Sequence, residues 1–192
     1  STTLVNARFV KPVDGDLIES LTKTHKLIVT FEEQMLAGGF GSAVLEVLTR
    51  DAKRAGADIG SNSWGDDTQG RYDLSAAEFD ALVRDADTNA PGDQPYILEF
   101  SAGNAGPGRQ TVGSPAVAKN VIATGASQNN RFDFYVYAEG EDAMADFSSR
   151  GPCEDGRIKP DIVAPGTWIA SLKSASASDE NTALRARSSI GR

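Results

Sequence analysis

Apolar residues recur along this chain in short bursts whose spacing changes between a period of two and a period of three to four. Leu4 to Val10 alternates and stops at Lys11-Pro12, which predicts a short strand ended by a residue that cannot donate to a ladder. Leu17, Ile18 and Leu21 share one helical face up to about His25, behind a cap at Asp14 or Asp16. Leu27-Ile28-Val29-Thr30-Phe31 is a compact run suited to a buried strand. Gly38-Gly39-Phe40-Gly41 then opens a helix that carries Val44, Leu45, Val47, Leu48 and Ala52 and ends near Ala55-Gly56. Ala57 to Gly65 is extended again, so residues 27 to 63 spell strand, helix, strand. Both strands are expected parallel in one continuous sheet, with a right-handed crossover.

Further on, Ser75 with Glu78 forms a capping box at the head of a helix whose inward positions are Leu74, Phe79, Leu82, Val83 and Ala86. Asn89-Ala90-Pro91-Gly92 stops it. Tyr96 to Phe100 and Val121 to Thr124 are two more strands, separated by a loop rich in Gly and Pro from Gly103 to Pro115. Past Asp146, Gly151-Pro152, Lys159-Pro160 and Pro165-Gly166 bracket the short apolar pieces Ile162-Val163-Ala164 and Trp168-Ile169-Ala170. From Ser174 onward the mixture of Ser, Ala and Asp has little to bury and predicts a loose tail. The alternation implies an α/β fold, a mainly parallel sheet with helices on its faces. Ligands of such sheets sit at the carboxyl ends of strands, here the loops starting near Ser63, Ser101 and Ser127.

Composition narrows the chemistry. With 192 residues and 40% hydrophobic content there is enough apolar mass for one core or two small ones. The 27 acidic against 19 basic residues give a net charge of -8 with no basic block, which argues against nucleic acid as a partner. No apolar run approaches the roughly 20 residues that span a bilayer, and Ser1 to Leu4 has no signal-peptide pattern, so the chain is expected to be soluble, its location open. One Cys and one His cannot build a disulfide framework or a Cys/His zinc site. Cys153, beside Glu154 and Asp155, is expected to be an exposed, inert thiol with a raised pKa. His25, near Glu32 and Glu33, reads as a surface residue. Asp66-Asp67 and Glu139 to Asp142 lack calcium-loop spacing, and Gly38 to Gly41 is helix capping rather than a dinucleotide fingerprint. No metal and no cofactor are expected.

Two sets of motifs resemble unrelated families. Ser61-Asn62-Ser63-Trp64-Gly65, Ser101-Ala102-Gly103-Asn104-Ala105-Gly106, Ser114-Pro115-Ala116 with Val121 to Ala126, and Phe147-Ser148-Ser149-Arg150-Gly151-Pro152 with Lys159-Pro160-Asp161-Ile162-Val163-Ala164-Pro165-Gly166 stand in one order. They resemble the central part of a subtilisin-like serine protease, over about residues 50 to 175. Val5 to Pro12 with Asp14, Val29 to Glu33 and Gly38 to Val44 resemble instead the C-terminal domain of deoxyxylulose phosphate synthase, a transketolase relative, over about residues 3 to 48. The chain is thus similar to two gene fragments joined within the helix of residues 42 to 54. The organisation expected from this is a transketolase-like fragment at 1–48, a subtilase core fragment at 49–175 and a loose tail at 176–192, folded as one unit. An incomplete three-layer subtilase fold would be completed by a βαβ piece from the front.

The protease resemblance implies a serine endopeptidase whose Asp and His precede the Ser-Asn-Ser-Trp-Gly strand and whose Ser follows the Lys-Pro-Asp-Ile-Val-Ala-Pro-Gly motif. Neither an Asp-Thr/Ser-Gly, a His-Gly-Thr nor a Gly-Thr-Ser-Met-Ala motif occurs, and the chain stops at Arg192 before the nucleophile helix is expected. Of the catalytic set the resemblance carries over only Asn104, the oxyanion donor, a role able to supply about 3 kcal/mol beside a nucleophile. It also assigns Ser61, Asn62, Ser63, Trp64 and Gly65, with Ser101, Ala102 and Gly103, to a groove that pairs with an extended substrate, and a cis peptide before Pro115. Three readings stay open: a triad-less fragment without efficient peptidase activity, a weak hydrolase of activated esters or phosphoesters around Asn104, and a peptide-binding module. A peptide or small ester is the expected partner. Apolar faces at Tyr96 to Phe100 and Val121 to Ala123, left bare by missing helices, suggest a homodimer.

Overall fold

Four parallel strands lie side by side in sequence order: β1 (Ile59–Asn62), β2 (Ile97–Ser101), β3 (Ile122–Ser127) and β4 (Ile162–Pro165). They belong to a computed structural model in which residues 3–7, 13–26, 28–30, 39–129 and 140–167 are described. Three helices complete the described elements: α1 (Gly15–Thr24), α2 (Phe40–Arg54) and α3 (Leu74–Arg84). The α/β class expected from the sequence is therefore what the chain adopts.

Register sets which side chains share a face. Ile59 pairs with Ile97, Glu99 with Ile122 and Thr124 with Ile162. Side chains alternate along a strand, so Ile59, Ile97, Ile122 and Ile162 share one face, Ile122 and Ile162 each stepped two residues along from the isoleucine before it. All four are exposed. The opposite face carries Leu98, Phe100 and Ala123, all buried against Phe79 and Ala76 of α3 together with Val112, Val117 and Cys153. The bare faces expected at Tyr96 to Phe100 and Val121 to Ala123 are thus corrected: Tyr96, Leu98, Phe100, Val121 and Ala123 sit in the chain's own core, and the alternate residues Ile97, Glu99 and Ile122 lie on the other face.

A smaller cluster holds the front of the chain. Asp14 caps α1 by accepting from the Leu17 amide at 3.0 Å, and Ile18 packs against Val44 and Val47 of α2, with Val13, Phe40 and Leu48 around them. At its other end α2 meets the core through charge. Arg54 donates from Nε and Nη2 to the two carboxylate oxygens of the buried Asp87, at 2.5 and 2.8 Å. Gly56, just past the helix, has a φ of +93°, the left-handed conformation that ends helices without a Cβ penalty.

Several local expectations change. Ile28, Val29 and Thr30 form no strand, and Val29 is exposed, so the expected sheet continuity from Leu27–Phe31 to β1 is not present at those three residues; Leu27 and Phe31 lie outside the described residues. Leu4 to Asn6 is likewise exposed and not a strand. The cap of α3 is Asp73, whose Oδ1 accepts from the Ala76 amide at 2.9 Å, rather than Ser75, which is buried; Leu74 points outward. An Asp already in an extended conformation one residue earlier out-competes the serine hydroxyl. Cys153 is 1% exposed, not a surface thiol, because the Cys153–Arg157 turn folds it under Gly70. Burial, ahead of its charged neighbours, pushes that thiol up. Trp168 to Ala170 and the tail from Ser174 lie outside the described residues. No described helix is long and apolar enough to cross a membrane.

Two outcomes follow. Leu98→Ala should lower unfolding free energy by about 2–5 kcal/mol, and Ile97→Ala, one residue away on the open face, by about 1 kcal/mol or less; denaturant titration of both variants checks which face is the core. Arg54 holds the Asp87 carboxyl below the ordinary aspartate range. The native carboxyl then ionises more readily than the unfolded one. Its contribution is present above about pH 3.9 and lost as pH falls further, through the lowered native value. Unfolding measured across that acid window should show a steeper loss for the wild-type chain than for Asp87→Asn.

Candidate functional site

The carboxyl ends of β1 and β2 release two loops that diverge around a cleft. Ser63-Trp64-Gly65 leaves β1, and Ala102-Gly103-Asn104 leaves β2. The carboxyl end of an open α/β sheet is where such folds place their ligand crevices. The cleft has a volume of about 350 Å³. One wall is Ser63, Trp64, Gly65, Asp66 and Asp67; the other is Ser101, Ala102, Gly103, Asn104 and Ala105, with Thr111, Gly113, Ser114 and Ser149 closing it.

Each wall is fixed by identifiable contacts. Trp64 stands edge-on to Phe79 and Phe100, with ring centroids 5.5 and 5.3 Å away, and its indole Nε1 donates to Asn62 Oδ1 at 3.4 Å. Asp66 and Ser114 exchange backbone hydrogen bonds at 2.9 and 3.0 Å, an antiparallel bridge joining the first wall to the closing loop. The approach is close enough that a Cβ on Gly65 would lie 2.7 Å from the Ser114 carbonyl oxygen. On the other wall, Ala102 accepts from Gly113 N at 3.1 Å and Gly103 accepts from Ser149 N at 3.0 Å, while Ser149 Oγ accepts from Ala105 N at 3.0 Å. Gly103 has a φ of +108°, and a Cβ there would meet Ser149 Oγ at 2.9 Å. The Ser114–Pro115 peptide is cis.

Of the residues singled out from the sequence, Ser63, Trp64, Gly65, Ser101, Ala102, Gly103 and Asn104 come together at the cleft, and Asn104 is exposed there. Ser61 and Asn62 do not line it. Ser61 donates to Glu99 Oε2 at 2.8 Å on the open face, and Asn62 bonds the Gly60 and Glu99 carbonyls and orients Trp64. Asp66, Asp67, Ala105, Thr111, Gly113 and Ser149 were not anticipated as cleft residues. The adjacency of Asp66 and Asp67 to the Trp-Gly pair was the available signal for them, whereas Thr111 and Ser149 arrive from distant segments with none.

Electrostatically the cleft is acidic. Burial, and secondarily the neighbouring Asp73, raise the Asp66 carboxyl above its ordinary range. Asp73 lies behind the cleft, where its Oδ1 accepts from Ser114 Oγ at 2.6 Å. His25 is elsewhere: its ring nitrogens meet Thr3 Oγ1 at 3.0 Å and Thr24 Oγ1 at 2.8 Å. Among the described residues no group of three or more His, Cys, Asp or Glu is placed to hold a metal ion. Gly103→Ala should cost about 1–3 kcal/mol, since it forces a side chain into a left-handed conformation and against Ser149; thermal melts against Gly108→Ala, whose Cβ would meet nothing closer than Thr111 Cγ2 at 3.6 Å, check it.

The model of the subtilase family matches residues 30–189, beginning well ahead of the motif-based boundary near residue 50. Serine protease AprX of Bacillus subtilis (strain 168) is 41% identical over 117 residues, 61% of this chain and 24% of that protein. The 1-deoxy-D-xylulose-5-phosphate synthase of Nitrosospira multiformis is 55% identical over 49 residues, 26% of this chain and 8% of the synthase. Among solved structures, Sphericase has a TM-score of 0.48 and 24% identity, covering 69% of this chain and 40% of its own. The chain therefore spans about a quarter of the protease and less than a tenth of the synthase. With a family match over most of its length, and a short stretch similar to the synthase besides, the chain belongs to the subtilase family.

Proposed function

We propose that this chain forms the peptide-binding wall of a subtilase site and does not itself cleave peptides efficiently. The cleft carries the reading: Ser63-Trp64-Gly65 and Ser101 to Asn104 flank it from two adjacent strand ends, and β1 is paired on one side only in the described sheet. An extended peptide laid beside such an edge gains backbone hydrogen bonds, with one side chain entering the cleft. Similarity to a protein named as a serine protease supports a peptide as the ligand.

The placement of His25 supports the second half of the proposal. The chain has one histidine, His25, which bonds Thr3 and Thr24 and is not among the cleft residues. Hydrolysis through a serine needs a base within hydrogen-bond reach of the hydroxyl. Ser114 does reach a carboxylate, Asp73, and this is the specific observation favouring weak ester hydrolysis as a second reading. That same Asp73 oxygen also accepts from the Ala76 amide as the α3 cap, so its contact with Ser114 is part of the fold. Combined with a segment that brings a histidine base and a serine nucleophile, the same wall would position a peptide for cleavage, with Asn104 donating to the oxyanion.

The exposed row Ile59, Ile97, Ile122 and Ile162 supports a homodimer as part of this proposal, a self-complementary patch being what two-fold pairing requires. Light scattering should then give twice the 20.3 kDa chain mass, and the chain mass alone overturns it.

The peptide reading has its own test. A fluorophosphonate probe should leave the chain unlabelled, and stoichiometric labelling would establish the hydrolase instead. In a Trp168→Phe background, where Trp64 is the remaining indole, titration with short blocked peptides should change its emission saturably. A flat titration rejects the peptide wall.

A further inference from the structure

Resting on the peptide-wall reading, we infer that the open edge of β1 selects a side-chain amide, asparagine or glutamine, from an extended peptide at the position opposite Gly60, through the Tyr96 hydroxyl. Among the described residues β1 pairs with β2 alone. The Asp58 carbonyl accepts from Ile97 N at 3.2 Å, toward β2, so by alternation the amides and carbonyls of Ile59 and Ser61 face the open edge. A peptide that takes up those groups lays the residue between them opposite Gly60.

That position lies beside a notch in the strand. Gly60 pairs with Leu98, whose side chain is in the core, so both positions face the same side of the sheet. Glycine leaves the space unfilled: a Cβ there would lie 3.0 Å from Leu98 Cδ2 and 3.1 Å from Tyr96 Oη. Tyr96 is 4% exposed, yet its hydroxyl is open to solvent and makes no hydrogen bond with a described residue. A buried tyrosine whose polar tip has no partner inside the protein points to one that arrives from outside. Burial, and then the charge of Asp58, raise this hydroxyl and keep it protonated. It offers one donor hydrogen and its acceptor lone pairs, and an amide side chain can meet either.

Reach and charge narrow the ligand further. Directly opposed residues on neighbouring strands hold their Cβ atoms about 4.5–5.5 Å apart, so a side chain extending two or three bonds past its Cβ brings a polar atom to the hydroxyl. The charged groups beside the notch are Lys53 of α2 and Asp58 ahead of β1. They pair with each other at 3.4 Å, which leaves neither to draw a charged side chain. An apolar side chain of the same shape would cover the hydroxyl without bonding it, and an unpaired buried hydroxyl is costly. Selectivity is therefore a difference in hydrogen bonding at constant shape.

Calorimetric titration of the whole chain with short blocked peptides, identical except for Asn, Gln or Leu at one position scanned along them, tests this. At one position the better amide peptide should bind about tenfold more tightly than the Leu peptide, equivalent to about 1.4 kcal/mol. Tyr96→Phe removes the hydroxyl and keeps the ring in the core, and its melting transition checks the fold. In that variant the ratio of amide to Leu affinities should contract to within about twofold. Gly60→Ala, which fills the notch, should contract it likewise. Equal affinity of the amide and Leu peptides for the wild-type chain at every position overturns the inference and leaves the peptide wall standing. A ratio that persists in Tyr96→Phe overturns the assignment to Tyr96, and no binding of any peptide overturns both readings.

Discussion

Trp64, Phe79 and Phe100 meet edge to face, their centroids 4.9 to 5.5 Å apart. Each ring comes from a different element: the loop after β1, the middle of α3, and β2. Such pairs add to the area they bury by aligning ring edges with ring faces. The consequence for the site is that one wall of the cleft is also a member of the core. Trp64 cannot swing away without unpacking Phe79 and Phe100, both fully buried, so the shape of the wall is set before any ligand arrives. Asn62, on β1, then fixes the rotation of the indole through Nε1.

The remaining walls are loops, which lack ladder partners and must satisfy their backbone groups by other means. Buried side chains take that role. Ser149 accepts from the Ala105 amide and Ser148 from the Ala126 amide, both at 3.0 Å. Lys159 is 5% exposed and donates to the Val121 carbonyl at 2.9 Å and to Asp161 at 2.6 Å; the same Asp161 oxygen accepts from Ala123 N at 2.7 Å. A buried ammonium is costly unless fully paired, and here it links the start of β3 to the approach to β4. Asp80 does the same for α3, accepting from Tyr72 Oη and from the Lys119 and Asn120 amides; burial first, then that bond, push the Tyr72 hydroxyl up to about 12. These polar pins hold the irregular segments in register with the sheet.

What was legible in the sequence follows from what is local. Periodicity located α1, α2, α3 and the strands β1, β2 and β3 to within a few residues, because helix faces and buried strands are written in consecutive positions, whereas β4 read only as a short apolar piece between prolines. The motif-rich loops carry seven of the residues that line the cleft. Reasoning from neighbours failed where a competitor stood close by or contact came from afar. Asp73 displaced Ser75 as the α3 cap; Ile28 to Thr30, apolar enough for a strand, makes none; and Cys153, flanked by charges, is buried by a turn that its own neighbours do not announce. Asp66 was visible but not interpretable, since its significance depends on Asp73, seven positions on, being folded behind Ser114.

The front of the chain raises a separate question of how a piece with so small an apolar cluster stays attached. Ile18, Val44 and Val47 bury too little to stand as a domain by themselves, so α2 must draw support from the core. It does so by presenting two kinds of surface along one rod: an apolar stripe toward α1, and a cationic C-terminal turn in which Lys53 lies 5.8 Å from the Tyr96 ring centroid and Arg54 grips Asp87. Basic residues at this end also oppose the helix dipole. A helix is well suited to such a junction because its backbone hydrogen bonds close within the segment, whereas a strand would need a partner from whichever side it joined. The subtilase match begins at residue 30, inside the stretch that resembles the synthase, and α2 is the first described element wholly within it. Among the described residues, α2 meets the core through the Arg54–Asp87 pair and the Lys53–Tyr96 contact, and the described front residues add no strand to the four-stranded sheet.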